Sequence, residues 1–312
     1  MSGVAKVETT RGFDASAEST NLYSTAVLMT DGTLYTVGGN GSGQLGRGGV
    51  TNTLKKVDFA GTIIDVKLGQ DFILILDSNN ELWGMGNNAR GQLGAGGYGS
   101  NVTAFQSIAK GVTSFAAGRR TTAYVNTRGY LYVLGDNRWN KTHTGSTDNM
   151  TTPQKIQTNI KSVTAGEHSL LIIDNNNTLY YLGWKRFDTF EQTESQAAMP
   201  NGVMYKVLDN VKEAEMQDHH IIALTTNGDV YGYGHDSYGQ MANGGASILK
   251  TAKKLYSGAI DIAAGSGFTS ILLSDGRVVT YGANDKGQAG TGSASATVNG
   301  ATTTVGKYIE GK

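Results

Sequence analysis

The chain has 312 residues, 44 of them glycine, about twice the usual share, and only two prolines, so it is neither collagen-like nor a proline-rich linker. With 38% hydrophobic and 8% aromatic residues it can bury a core, which excludes disorder throughout. Its 26 basic and 26 acidic residues cancel, so no global field draws it to nucleic acid or an anionic membrane, and the absence of cysteine removes disulfides, thiolate nucleophiles and cysteine-held metals.

Met1-Ser2-Gly3-Val4-Ala5-Lys6 has no apolar core of a signal peptide. The longest apolar run, Phe72–Leu76, falls far short of the ~18 residues of a membrane span. The expectation is a protein without Sec export or membrane insertion, located in the cytoplasm or in a virion. Residues 1–20 read as an N-terminal extension, a contact arm that would fray unless tied down.

From about Asn21 to Lys312 one pattern repeats. Leu34–Gly38, Leu82–Gly86, Leu131–Gly135, Leu179–Gly183, Val230–Gly234 and Val278–Gly282 end on glycines spaced 48, 49, 48, 51 and 48 residues apart. Six residues before each closing glycine stands Gly32, Asn80, Gly129, Asn177, Gly228 or Gly276, preceded by Asp31, Asn79, Arg128, Asn176, Asn227 or Asp275. Such pairs tolerate positive φ, and short β-prone runs flank them, which predicts a hairpin closed by a two-residue turn. Seventeen residues before the closing glycine, Gly69, Gly118, Gly166 and Gly265 each follow a further strand, such as Ile63–Leu68 or Ile160–Ala165. A unit of this length with three or four short strands and no helical period is a propeller blade.

The fold class expected is all-β, a single six-bladed β-propeller closed by pairing of N- and C-terminal strands. Lys307–Glu310 before Gly311 reads like the strand before Gly166 and would complete the blade begun by residues 21–49. The alternative is that Val4–Val7 supplies that strand. Either staple removes a free sheet edge.

Copy 1 continues Gly38-Gly39-Asn40-Gly41-Ser42-Gly43-Gln44-Leu45-Gly46, copy 2 ends Gly86-Asn87-Asn88-Ala89-Arg90-Gly91-Gln92-Leu93-Gly94, and copy 4 opens Ala165-Gly166-Glu167-His168-Ser169. These residues, from about 21 to 311, resemble the repeat of the regulator of chromosome condensation family. The resemblance implies a propeller that binds proteins, in some members as an exchange factor for a small GTPase. The founding member resembles a seven-bladed propeller, against six copies here. Copies 3 and 4 replace Gly-Gln-Leu-Gly by Asp136–Gly145 and Trp184–Thr193, and no residue here maps to the exchange factor's projecting wedge.

Other chemistry is thin. Gly41–Gly46 satisfies G-x-G-x-x-G after a strand, but Arg47-Gly48-Gly49 opens no helix and related loops recur at Gly91, Gly239 and Gly287, so it reads as a blade loop rather than a dinucleotide site. His168 and His219 share one repeat slot with Tyr23, Asp71, Arg120 and Gly267, a structural or surface position. A zinc set of His219, His220 and His235 with Asp218 or Asp236 is disfavoured because adjacent strand residues face opposite ways. No nucleophile elbow marks a Ser/His/Asp triad. The reading is a non-enzyme with no cofactor and no metal.

Blades 3 and 4 depart from the repeat and concentrate basic and aromatic residues. Arg119, Arg120, Arg128, Arg138, Trp139 and Lys141 gather around blade 3, and Trp184, Lys185, Arg186, Phe187 and Phe190 follow in blade 4. Arg and Trp are the usual interface anchors. The partner-binding set taken from these is Arg120, Arg138, Trp139, Lys141, Trp184, Lys185, Arg186 and Phe187; nucleic acid fits less well, since Glu191 and Glu194 dilute the charge. By composition the chain is similar to virion and tail proteins of bacterial viruses, so the function expected is a non-catalytic, structural or receptor-facing component of a larger assembly. Its partners would be other subunits, with a cell-surface receptor or glycan as a further partner. The alternatives are a regulator that binds a GTPase or an enzyme as exchange factor or inhibitor, and a lectin-like binder using the axial funnel.

Overall fold

The computed structural model describes residues 2–10, 23–47, 51–94, 97–138, 146–167, 169–183, 204–217, 220–242, 248–290 and 297–304. The fold class is all-β, a six-bladed β-propeller built from six four-stranded antiparallel sheets, with no helix among the described residues. Blade 1 is β1 (Val4–Thr9), β2 (Ser24–Met29), β3 (Leu34–Gly38) and β4 (Thr51–Lys56). Blade 2 is β5 (Ile63–Leu68), β6 (Phe72–Asp77), β7 (Leu82–Gly86) and β8 (Val102–Ala109), and blade 3 is β9 (Val112–Ala117), β10 (Thr121–Asn126), β11 (Leu131–Gly135) and β12 (Met150–Gln157). Blade 4 is β13 (Ile160–Ala165), β14 (Ser169–Asp174), β15 (Leu179–Gly183) and β16 (Tyr205–Leu208), followed by blade 5, β17 (Val211–Gln217), β18 (His220–Thr225), β19 (Val230–His235) and β20 (Ile248–Tyr256). Blade 6 is β21 (Ala259–Gly265), β22 (Phe268–Leu273), β23 (Val278–Ala283) and β24 (Thr297–Thr304). Each sheet is a meander of consecutive strands.

The chain divides into two compact units, residues 1–170 and 171–312. In the first, one apolar core runs through blades 1 to 3, from Ala26 and Leu28 through Ile73, Leu74 and Ile75 to Leu134. In the second, one core joins blades 4 and 5 around Leu179, Val211 and Tyr233, and another joins blades 5 and 6 around Ile222, Met241 and Ile271. In blades 2, 4 and 5 the second strand is buried at every position, so its middle reads as an apolar run instead of an alternation. Thus Phe72-Ile73-Leu74-Ile75-Leu76 is buried throughout, whereas β8 is exposed at half of its positions and buried only at Val102.

Where the first strand of blade 1 comes from is decided by β1. It pairs antiparallel with β2, Val7 opposite Val27, so the N-terminal segment supplies this strand, and the expectation of Lys307–Glu310 in its place is corrected. Residues 305–312 lie outside the described residues. Val4–Thr9 is therefore part of blade 1 rather than of an arm ahead of it. Lys6 anchors it to blade 2, its ammonium 2.6 Å from Asp65 and 3.0 Å from the Val66 carbonyl.

The hairpins between second and third strands also differ from expectation. Gly32 N donates to Met29 O at 3.0 Å and Met29 N to Thr33 O at 2.8 Å, which is a three-residue loop: a type I turn followed by one left-handed residue. That residue is Gly32, Asn80, Gly129, Asn177, Gly228 or Gly276, with φ between +58° and +83°. One left-handed position, not two, explains why Arg128 and Asp31 are admitted before it.

The Gly-Gln-Leu-Gly loop is a closed hydrogen-bonding unit. Gln44, Gln92, Gln240 and Gln288 accept through Oε1 from the amide two residues earlier. The next residue, Leu45, Leu93, Met241 or Ala289, is buried and donates its amide to Asn40, Asn88, Asp236 or Asn284. Asp236, weighed as a zinc ligand, is thereby a loop pin. The loop then leans on the following blade. Gly86 has φ +111°, and a Cβ there would lie 2.6 Å from Asp71 O and 3.1 Å from Gln44 Cβ of blade 1. Gly135 is likewise confined by Arg120 O and Gln92 Cβ, and Thr122 Oγ1 donates to Gln92 O at 2.7 Å.

Gly86→Ala is expected to cost roughly 3 kcal/mol or more, strain and overpacking together, lowering the thermal midpoint by roughly 5–10 °C. Gly97→Ala, whose Cβ would meet nothing within 4 Å, is expected to stay within about 0.5 kcal/mol of the parent. Thermal melts by circular dichroism compare the two.

Candidate interaction surface on blades 2 to 4

The first and second strands of blades 2, 3 and 4 are joined by tight two-residue loops. Gly69 N donates to Phe72 O, Gly118 N to Thr121 O and Gly166 N to Ser169 O, leaving Gln70-Asp71, Arg119-Arg120 and Glu167 at the tips. Successive blades set the first residues of these tips side by side. Arg119 Nη1 lies 2.6 Å from Glu167 Oε1, its Nε donates to Gln70 Oε1 at 3.2 Å, and Gln70 N donates to Arg119 O at 3.4 Å. Arg119 and Glu167 side chains are less than one-fifth exposed, so this ladder ties three blades together with little screening.

The second residues form a less settled layer. Asp71 is 6% exposed and faces Arg120, yet its Oδ1 and the Arg120 Nε find no hydrogen-bond partner. Burial pushes the Asp71 carboxyl up to about 6, against the pull of Arg120 and a hydrogen bond from Asn87. Burial also lowers the Arg120 guanidinium, with Asp71 opposing and Arg119, Arg90 and Arg138 adding to the lowering. Arg138 makes a two-pronged pair with the buried Asp136, at 2.9 Å and 2.7 Å, and this hydrogen bonding raises its pKa above the usual arginine value. Arg90 stands in the Gly-Gln-Leu-Gly loop of blade 2, and its side chain makes no bond to a described residue.

Of the sequence-derived partner set, Arg120 and Arg138 fall within this sector. Trp139, Lys141, Trp184, Lys185, Arg186 and Phe187 lie outside the described residues. Arg128, grouped with them in sequence, is separated: it stands on the turn after β10, at the strand end opposite Arg120 and roughly 20 Å away by strand length. Sequence reasoning missed Gln70, Asp71, Arg90 and Glu167. The signal was available, since Gln70, Arg119 and Glu167 all follow the glycine seventeen residues before the closing one. Among the described residues no group of three His, Asp or Glu side chains is placed to hold a metal, and no helix is long and apolar enough to cross a membrane.

The sequence profile of the regulator of chromosome condensation (RCC1) repeat matches residues 63–92, 218–240 and 259–288. A curated zebrafish (Danio rerio) protein, the E3 ubiquitin-protein ligase MYCBP2, is 40% identical over 77 residues, which is 23% of this chain and 2% of that protein's length. The Saccharomyces cerevisiae protein Prp20p, described with its binding properties to Gsp1p and histones, superposes with a TM-score of 0.76 at 16% identity, over 90% of this chain and 74% of that one. Human WBSCR16 superposes with a TM-score of 0.65 at 19% identity, over 77% and 67%. At these identities the two structures establish the fold alone.

The Asp71 environment makes stability depend on pH. Its folded pKa lies above the unfolded value, so the folded chain holds the proton more tightly, and stability falls as pH rises through the interval from 3.8 to about 6. The full shift corresponds to roughly 3 kcal/mol. Asp71→Asn is therefore expected to raise the thermal midpoint relative to the parent at pH 7.5, and the gain is expected to vanish at pH 4. A gain equal at both pH values would contradict the assignment.

Proposed function

Since this chain is a propeller of regulator of chromosome condensation (RCC1) repeats, we propose that it is a non-catalytic protein-interaction module that regulates its partner, a GTPase or an enzyme, through the charged sector of blades 2 to 4. The observation that carries this reading is the ladder Gln70–Arg119–Glu167, which holds three blades in register and presents Arg90, Arg120 and Arg138 on one rigid rim. A rigid rim limits the ordering cost of binding, and guanidiniums recognise carboxylates with geometric selectivity. Prp20p, of similar fold, is described as binding Gsp1p and histones, which supports a protein partner here.

The virion or tail setting expected from composition draws no support from these relatives. The regulator reading is the better supported of the two. Light scattering over a range of concentrations separates them: a monomer throughout is expected, and a defined oligomer would return the assembly reading.

Arg90→Glu tests the surface without removing a side-chain bond between described residues. Affinity enrichment with the parent and the variant, compared by quantitative mass spectrometry, is expected to lose at least one partner by tenfold or more. Retention of every partner by a variant with an unchanged melt would reject the sector.

A further inference from the structure

We infer that the start of the outer strand of blade 2 forms a binding cup for a neutral carbohydrate. The cup is independent of the charged sector. It has a volume of about 400 Å³, within the range of small-ligand pockets.

Its shape is fixed by the blade loops. Asn88, 3% exposed, donates to Gly97 O at 3.3 Å while its Oδ1 accepts from Leu93, so the wall beneath residue 97 is pinned to the repeat's own loop. Gly99, at φ +92°, turns the chain after Tyr98. Tyr98 is 58% exposed, yet its hydroxyl donates to Asn149 O of blade 3 at 3.0 Å. A ring anchored at its tip and open on a face is a stacking platform rather than a frayed side chain. On the other side, the blade 1 loop closes on Thr103, where a Cβ on Gly43 would lie 3.1 Å from Thr103 Cγ2.

The lining selects the ligand class. No charged side chain among the described residues lines the cup, so a phosphate, carboxylate or ammonium ligand would find nothing among them to neutralise it. Ser100, Asn101, Thr103 and Gln106 are exposed, and their side chains make no hydrogen bond to a described residue. An apolar ligand would strand these hydroxyls and amides out of water, which is unfavourable. Hydroxyls and amides that each donate and accept, beside one aromatic face, match the alternating hydroxyl and C–H surface of a pyranose.

The test is saturation-transfer NMR on the whole chain with the methyl glycosides of glucose, galactose and N-acetylglucosamine. N-acetylalanine methylamide serves as a neutral peptide control. At least one glycoside is expected to receive saturation on its ring C–H protons, and Tyr98→Ala is expected to weaken that binding tenfold or more. Gln106→Ala, on the exposed face of the outer strand, is expected to weaken it several-fold and gives a second reading if Tyr98→Ala melts early. No transfer to any of the three glycosides at 20 mM would overturn the proposal. So would transfer that persists in both variants, or equal binding of the peptide control.

Discussion

The structure depends on backbone approaching backbone where a side chain would have stood. At Gly86 a blade turns over the tip of its own first hairpin, with Asp71 O and Phe72 Cα at the place of the missing Cβ and Gln44 of the preceding blade on the third side. Because L side chains rarely adopt φ near +111°, the position excludes a Cβ twice over, by torsion and by contact. The same arrangement at Gly135 lets the Gln92 loop rest on blade 3, and there Thr122 adds a hydrogen bond to the Gln92 carbonyl. The contact recurs in the second unit at Gly282, where Gly267 O and Phe268 Cα crowd the place of the missing Cβ and Gln240 Cα lies 3.0 Å from it.

Much of this was legible in the sequence because the repeat samples each position six times. A single Gly-Gln-Leu-Gly is an ambiguous string. Two copies, with the related Gly-Gln-Met-Ala and Gly-Gln-Ala-Gly, mark it as a blade loop, and the structure shows glutamine and an Asx side chain in it taking the place of missing backbone partners. Strand identity followed from the same averaging, and Ile63–Leu68 and Ile160–Ala165 are strands with the bounds their glycines mark. The first strand of blade 1 was legible only as the alternative, Val4–Val7, since Val4–Thr9 lacks the glycine that follows β5, β9 and β13. Turn geometry was misjudged because asparagine and glycine serve both two- and three-residue loops, and only the hydrogen bonds of Met29 tell them apart.

The candidate surface was half legible for a related reason. Arginines attract notice one by one, whereas their meaning lies in register. Arg119 is bound to residues 48 and 49 positions away, one repeat on each side, so it braces the rim and is largely spoken for. Arg90 and Arg120, with fewer commitments, keep capacity for a partner. Arg128 has similar sequence neighbours but stands at the far end of a strand. Sequence proximity on a short β-strand is a poor guide to which end of a blade a residue serves. The tyrosine cup of blade 2 was not legible, because only the hydrogen bond to Asn149 of the next blade shows that Tyr98 is held.

The pairing of β1 with β2 bears on the order in which the fold is made. All six sheets consist of four strands consecutive along the chain. Among the described residues no sheet waits for a strand from a remote part of the sequence. Each blade can zip from its own contiguous segment as synthesis proceeds, with short loops to close and low contact order within every sheet. The interblade contacts then reach one repeat ahead, so each new blade finds the loop it docks on already formed. Such a topology lets stability build from neighbour to neighbour in the direction in which the ribosome delivers the chain.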